Sequence, residues 1–139
     1  VKPLKPVEVV AAIIERDGHI LLACRDGQSD LAGMWEFPGG KVEVGETQRE
    51  ALFRELSEEL NIHAQVEKWV ASNTWQQGER LIELHAWRVS GFSGNIALRC
   101  HSEVRWVTPL EAFSFPLAPA DIPLLNAYIA DITQRPGLI

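Results

Sequence analysis

Three glutamates, Glu55, Glu58 and Glu59, stand at i, i+3 and i+4 of a segment that reads as a helix. At about 100° per residue they share a wedge roughly 100° wide. The wedge borders a leucine stripe made by Leu52, Leu56 and Leu60, so the carboxylates line the margin of the packed face. Like charges at this spacing oppose a helix by roughly 0.2–0.5 kcal/mol per pair. They also sit toward the helix C-terminus, where the dipole disfavours negative charge. Two readings are open. The carboxylates form a solvated acidic face, or they hold a hard divalent cation such as Mg²⁺, which takes oxygen ligands and bridges to substrate phosphates.

The element that must carry them runs from Thr47 to Leu60. Thr47 with Glu50 three residues on is a capping box, Phe53 widens the stripe, and Asn61 suits a left-handed stop. Upstream, the apolar run Val7–Ile14 and the segment Ile20–Ala23 read as strands joined by an Asp17-Gly18 turn. Residues 28–34 read as a loop. Trp35 to Gly40 reads as a short extended piece ending in a tight glycine turn, with a further short strand at Val42 and Val44. Downstream, Val66–Trp75 and Leu81–Val89 read as strands about a Gln77-Gly78 turn, followed by a loop over 90–95 and a strand Val104–Val107. Thr108 with Glu111 forms a second capping box, with proline at the first helical position. Asp121 precedes a last helix carrying Leu124, Leu125, Tyr128, Ile129 and Ile132. Strands and helices alternate along the chain, which predicts an α+β fold with a central mixed sheet and helices packed on its faces.

The chain has 139 residues, 46% apolar and 23% charged, which suits a single domain over 1–139. No apolar run approaches the roughly 18 residues of a membrane span, and the N-terminus has no leader pattern. Cys24 and Cys100 form no metal or redox spacing and read as free thiols. A net charge of −6 argues against a nucleic-acid polymer as partner. A soluble cytoplasmic protein is expected, with no membrane partner, as a monomer or homodimer. Trp69, Trp75, Trp87 and Trp106 read as core or sheet-face residues, with base stacking as the alternative for each, while Trp35 beside the glycines is a better pocket candidate. Phe37 either lines a pocket or packs in the core. The four histidines show no ligand spacing among themselves.

The spacing beyond the helix is specific. Gly40, then Glu46, then Arg54-Glu55-Leu56-Ser57-Glu58-Glu59-Leu60-Asn61-Ile62 resembles the Nudix box, G-x5-E-x7-R-E-U-x-E-E-x-G-U, with Asn61 standing for the usual glycine. The resemblance implies the Nudix fold, an α/β/α sandwich about a mixed sheet. It also implies hydrolysis of a nucleoside diphosphate linked to another group, with Mg²⁺ or Mn²⁺. By that resemblance Glu55, Glu58 and Glu59 hold the metal, joined by the Gly39 carbonyl, and Arg54 and Glu46 orient them. The Gly39-Gly40 backbone would let phosphates approach closely.

The segment Trp35-Glu36-Phe37-Pro38-Gly39-Gly40-Lys41 is similar to the MutT-like nucleotide-pool enzymes, which cut a nucleoside triphosphate to the monophosphate and pyrophosphate. On that likeness Arg25 contacts phosphate, Arg80 lies near the nucleoside, and Glu36, Phe37, Gly40 and Lys41 belong to the substrate site. The stretches Glu8–Gly18, Leu84–Trp87 and Phe115–Leu125 resemble the CTP pyrophosphohydrolase branch, which implies a preference for cytosine and 5-substituted pyrimidine nucleotides. The alternative is an oxidised-purine enzyme of the 8-oxo-dGTP type, and a third reading is a silent nucleotide-sensing domain. Asp121 either caps its helix or reads the base. An ionised aspartate only accepts hydrogen bonds, which favours the amino group of cytosine. One position departs from the family: Cys100 stands where a further glutamate is common, and either the nearby Glu103 replaces it or a box glutamate acts alone.

Overall fold

The computed structural model describes residues 6–25 and 33–134. The N-terminal pentapeptide and residues 28–32 of the expected loop lie outside the described residues. Strand β1 (Pro6–Arg16) turns at Asp17-Gly18 into β2 (His19–Arg25), and both turn residues take positive φ. Two short strands follow, β3 (Trp35–Glu36) and β4 (Gly39–Lys41), then helix α1 (Gln48–Leu60). A long hairpin comes next, β5 (His63–Gln77) and β6 (Arg80–Ser93), then β7 (His101–Val107) and helix α2 (Ile122–Thr133).

The strands form one mixed sheet in the order β3-β2-β1-β6-β5, with β4 paired to β1 and β7 to β2. β1 is its axis, parallel to β6 and antiparallel to β2 and β4. Side chains alternate along it and divide the core. Val10, Ala12 and Ile14 pack with Leu52, Leu56 and Leu60 of α1, while Ala11 and Ile13 pack with Leu124, Leu125 and Tyr128 of α2. Burial on both faces explains why the run is continuously apolar rather than alternating. The layers are helix, sheet, helix, as expected. Among the described residues no helix is long and apolar enough to cross a membrane.

Helix α1 matches its expected ends. Thr47 accepts the Glu50 amide, Glu50 reaches back to the Thr47 amide, and Asn61 closes the helix at φ 60° and ψ 35°. Phe53 does not widen the buried stripe: its ring is 45% exposed and stacks on His63. Val42 and Val44 form no separate strand. Val42 extends the β4 pairing by one bond to Glu8, and Val44 is fully exposed. The strands β5 and β6 run on beyond their expected ends and absorb most of the expected 90–95 loop. The second capping box forms, with Thr108 and Glu111 exchanging bonds at 2.9 and 3.3 Å. It opens only a short 3-10 turn, Glu111–Ser114, because Phe115 precedes a proline and turns extended.

Gly39 and Gly40 make no tight turn. They lie in β4, opposite Ala11 and Val10. A Cβ on Gly39 would fall well inside contact distance of the Val10 carbonyl, so this strand pair closes only with glycine there.

Candidate active site

A cleft of about 760 Å³ opens where β1, β4, β6, the start of β7 and one edge of α1 meet. Of the residues singled out in the sequence, Arg25, Glu36, Phe37, Gly39, Gly40, Lys41, Glu55, Glu59, Arg80 and Asp121 line it. Glu58, Arg54 and Glu46 do not; they form the layer behind its acidic edge.

Arg54 organises that layer. Its Nε and Nη2 donate to both carboxylate oxygens of Glu46, at 2.7 and 3.0 Å. Nη1 donates to Glu55 at 2.8 Å and to Glu58 at 3.4 Å, and Nη2 also reaches the Lys41 carbonyl at 3.0 Å. One planar guanidinium thus ties the 41–46 loop to the acidic edge of α1, a geometry a lysine could not copy. The same bonds hold the Glu46 carboxyl below its usual range, through Arg54 first and the Glu43 amide second.

Glu55 leans against Gly40. A Cβ on Gly40 would collide with the Glu55 carboxyl, so the space this glycine leaves is filled by a carboxylate. The two glycines therefore serve strand and helix packing, and the room expected for phosphates is not what their missing side chains provide. Glu58 is 61% exposed on its side chain and does not line the cleft, although its charge acts on Cys100, which does. Glu59 is mostly buried, and its Oε2 has no hydrogen-bond partner among the described residues. Burial pushes the Glu59 carboxyl up to about 7; Glu55 and Glu36 add to the rise, while His101 and Arg25 oppose it.

An orphaned carboxylate oxygen beside a second, half-buried carboxylate fits a divalent cation. Among the described residues no three His, Cys, Asp or Glu side chains close round a point by themselves. Mg²⁺ keeps several waters and shares substrate phosphates rather than filling an all-protein cage.

Next to the acidic edge, Glu36 is held from two sides. Arg25 Nε donates to its Oε1 at 2.7 Å, and His101 Nε2 meets its Oε2 at 3.1 Å. His101 was not singled out in the sequence, yet it is 91% buried and sits between Glu36 and Glu59, with Nδ1 unpartnered among the described residues. No sequence pattern marks it, since the residues that alternate with it along β7, Glu103 and Arg105, are exposed.

Asp121 is not a helix cap. Its side chain makes no bond to the α2 amides; instead Oδ2 accepts the Phe37 amide at 3.1 Å. It is 5% exposed, and burial raises its carboxyl to about 7 against the pull of that amide. Burial thus works against the ionised, acceptor-only form expected of it. Trp35 is also displaced from its expected place: it is buried edge-on to Phe115 and does not line the cleft. Phe37, 3% exposed, does both things at once, packing in the core and forming part of the cleft wall.

Cys100 lines the cleft beside the acidic edge, its thiol held above the usual range by burial and by the charges of Glu59, Glu55 and Glu58. Glu103 is not a stand-in for it. That carboxylate pairs with Arg105 at 2.6 Å on the exposed side of β7 and does not line the cleft. The entry to β7 is fixed onto α1, since the amides of Ala97 and Arg99 donate to the carbonyls of Leu60 and Glu59 at 3.0 and 3.1 Å.

Residues 4–128 match the NUDIX domain family. The chain belongs to it. This Nudix hydrolase is 56% identical over 134 residues to the CTP pyrophosphohydrolase of Escherichia coli, covering 96% of this chain and 99% of that one. It is 39% identical over 129 residues to a putative 8-oxo-dGTP diphosphatase 2 of Mycobacterium tuberculosis, covering 91% and 87%. Among solved structures, the E. coli ORF135 protein in solution superposes with a TM-score of 0.88 at 56% identity, over 96% of both chains. A MutT NUDIX hydrolase from Burkholderia pseudomallei superposes at 0.78 with 27% identity, over 88% of this chain and 98% of that one. The Nudix hydrolase described here thus shares its fold with the two solved structures and most of its length with these relatives.

Proposed function

We propose that this Nudix hydrolase is a cytoplasmic nucleotide pyrophosphohydrolase. It converts nucleoside triphosphates to monophosphate and pyrophosphate with Mg²⁺ or Mn²⁺, and favours cytosine and 5-substituted pyrimidine nucleotides. The observation that carries the reading is one cleft with two unlike ends. An acidic edge with an unpaired buried carboxylate oxygen lies at one end, and an apolar wall with a single buried aspartate at the other. A substrate that is anionic at one end and a flat polar ring at the other matches it.

Glu55 and Glu59, with the Gly39 carbonyl, would hold the metal, and Glu58 would complete the set from outside the cleft. When bound, the metal neutralises phosphate charge and acidifies a water. Arg54 keeps Glu55 and Glu46 in place before substrate arrives, so no side chain need reorganise during the reaction. Lys41, Arg25 and Arg80 bring positive charge to the cleft wall for the phosphates. The proton of the attacking water passes to a box glutamate, since the cleft offers a thiol at 100 and Glu103 faces elsewhere. Asp121 meets the base edge.

The pyrimidine preference draws on the E. coli relative, whose name gives CTP as its substrate. A second reading, hydrolysis of 8-oxo-dGTP, is favoured by the Mycobacterium relative, whose name gives that substrate. The test is a panel of CTP, dCTP, 5-methyl-dCTP, 5-hydroxy-dCTP, UTP and 8-oxo-dGTP with Mg²⁺, compared by kcat/KM. A cytosine nucleotide at the head supports the first reading, and 8-oxo-dGTP at the head supports the second. Tight binding with no pyrophosphate from any of them would make the chain a sensor and overturn both.

A further inference from the structure

Four of the five tryptophans are engaged by other side chains. Trp35 meets the Phe115 ring at 5.0 Å and Trp106 stacks on Phe92 at 6.4 Å. The indole N–H groups of Trp69 and Trp87 donate to Ser72 and Gln48. Trp75 has no ring, cation or hydrogen-bond partner among the described residues. It is 37% exposed, and it lines the cleft.

The hairpin explains its place. Trp75 pairs with Ile82 across β5 and β6, and Asn73, two residues earlier on the same face, pairs with Leu84. Ile82 and Leu84 line the cleft as well. The Asn73 amide donates to the Ala120 carbonyl at 3.3 Å, so this face of β5 abuts the turn that carries Asp121. The ring of Trp75 stands one residue pair further out on that face, between the Asp121 turn and Arg80 near the hairpin tip. A large aromatic face left open to water is unfavourable by itself. A flat heteroaromatic ligand is the chemistry that covers it best, because every base has a π-face and stacking needs no particular hydrogen-bond pattern.

We infer that Trp75 is the stacking wall for the nucleobase, a specificity-determining residue that separates base-bearing nucleotides from base-free phosphates. The inference rests on the proposed function and deepens it. Stacking is tolerant of base identity, so Trp75 sets whether a base is held, and the choice among bases falls to Asp121.

The test uses CMP and inorganic pyrophosphate as separate probes, titrated by calorimetry into the parent, Trp75→Ala, Trp75→Phe and Trp69→Ala. Removing one stacked base contact weakens binding by about 10- to 100-fold. Trp75→Ala should lose CMP affinity by that factor and keep its pyrophosphate affinity, while Trp75→Phe recovers most of the loss. Trp69→Ala, exposed on the same strand but outside the cleft, should match the parent for both probes. In turnover, Trp75→Ala should raise KM for CTP and UTP by the same factor. Undiminished CMP binding by Trp75→Ala overturns the inference, and so does an equal loss for pyrophosphate, which would mark a general disturbance of the cleft. A parent that binds CMP through Trp75 yet hydrolyses no triphosphate would sink the proposed function and leave the stacking wall standing.

Discussion

Asp121 accepts the main-chain amide of Phe37 at 3.1 Å, joining two cleft residues that lie 84 positions apart in the chain. Burial raises this carboxyl to about 7, well above the ordinary aspartate range near 4, so the folded chain keeps a proton where the unfolded chain has lost it. Stability from this group therefore falls as pH rises from about 4 to about 7, and is unaffected below that window. Asp121→Asn cannot ionise and still accepts the Phe37 amide. Its urea midpoint should lie close to the parent's near pH 4 and exceed it near pH 8. A difference that does not change with pH would show that Asp121 does not titrate between these limits.

The two glycines of β4 should respond differently to a methyl group. Gly39→Ala drives Cβ into the Val10 main chain, which cannot move without parting β1 from β4. A loss of about 3 kcal/mol or more is expected, or failure to fold. Gly40→Ala meets the end of a side chain, Glu55, which can swing away. That variant should fold with a small drop in Tm but need more Mg²⁺ for half-maximal turnover. An unchanged Mg²⁺ requirement would mean that the placement of Glu55 against Gly40 has no bearing on metal.

Arg54→Lys keeps the positive charge and loses the fork. It cannot serve Glu46, Glu55 and the Lys41 carbonyl together. The Mg²⁺ concentration for half-maximal turnover should rise by about 10- to 100-fold, the scale seen when a residue that orients metal ligands is lost. Circular dichroism should stay that of the parent. Normal Mg²⁺ dependence in this variant would leave Arg54 a purely structural tie.

Glu58 and Glu59 offer a contrast on one helix. Replacing either with Gln should cut Mg²⁺-dependent turnover by about 10²-fold or more. Stability without metal should separate them. Burial makes the charge of Glu59 unfavourable once pH passes from about 4.5 toward 7, so Glu59→Gln should be more stable than the parent near pH 8. Glu58, largely in solvent, should show no such gain. Full turnover in both variants would remove these carboxylates from the reaction.

Glu103→Gln should leave turnover unchanged, since its carboxylate is engaged with Arg105 outside the cleft. Cys100→Ala should retain most activity, because a protonated thiol is a poor Mg²⁺ ligand and no base. Both follow from assigning the base to the box glutamates. A large, fold-neutral loss in either variant would move that assignment to β7.

What the sequence made legible was local. The ends and inner face of α1 could be read because cap, stripe and stop all lie within fifteen residues of each other, at Thr47, Glu50, the three leucines and Asn61. Phe53 escaped because apolarity and spacing say nothing about where the neighbouring sheet ends. Asp121 looked like a cap because its partner, the Phe37 amide, is remote in the chain and no local pattern points to it. Gly39-Gly40 looked like a turn because close approach to Val10 and to Glu55 leaves the same mark in a sequence as a bend. Trp75 was within reach: counting outward from the Gly78 turn pairs it with Ile82 and sets it on the face of Arg80. Without the rest of the fold, that face could not be known to be the wall of a cleft.

The two amides that Ala97 and Arg99 lend to the end of α1 have a consequence for how the molecule opens. The last helical turn cannot fray unless the segment leading to Cys100 and His101 lifts with it. These amides and the final turn of α1 therefore form a single exchange unit, and in deuterium labelling they should gain mass together rather than one after the other. Glu59 at one end and His101 at the other would then be exposed to solvent in the same event, so the acidic edge and the Glu36 clasp are lost or kept as a pair.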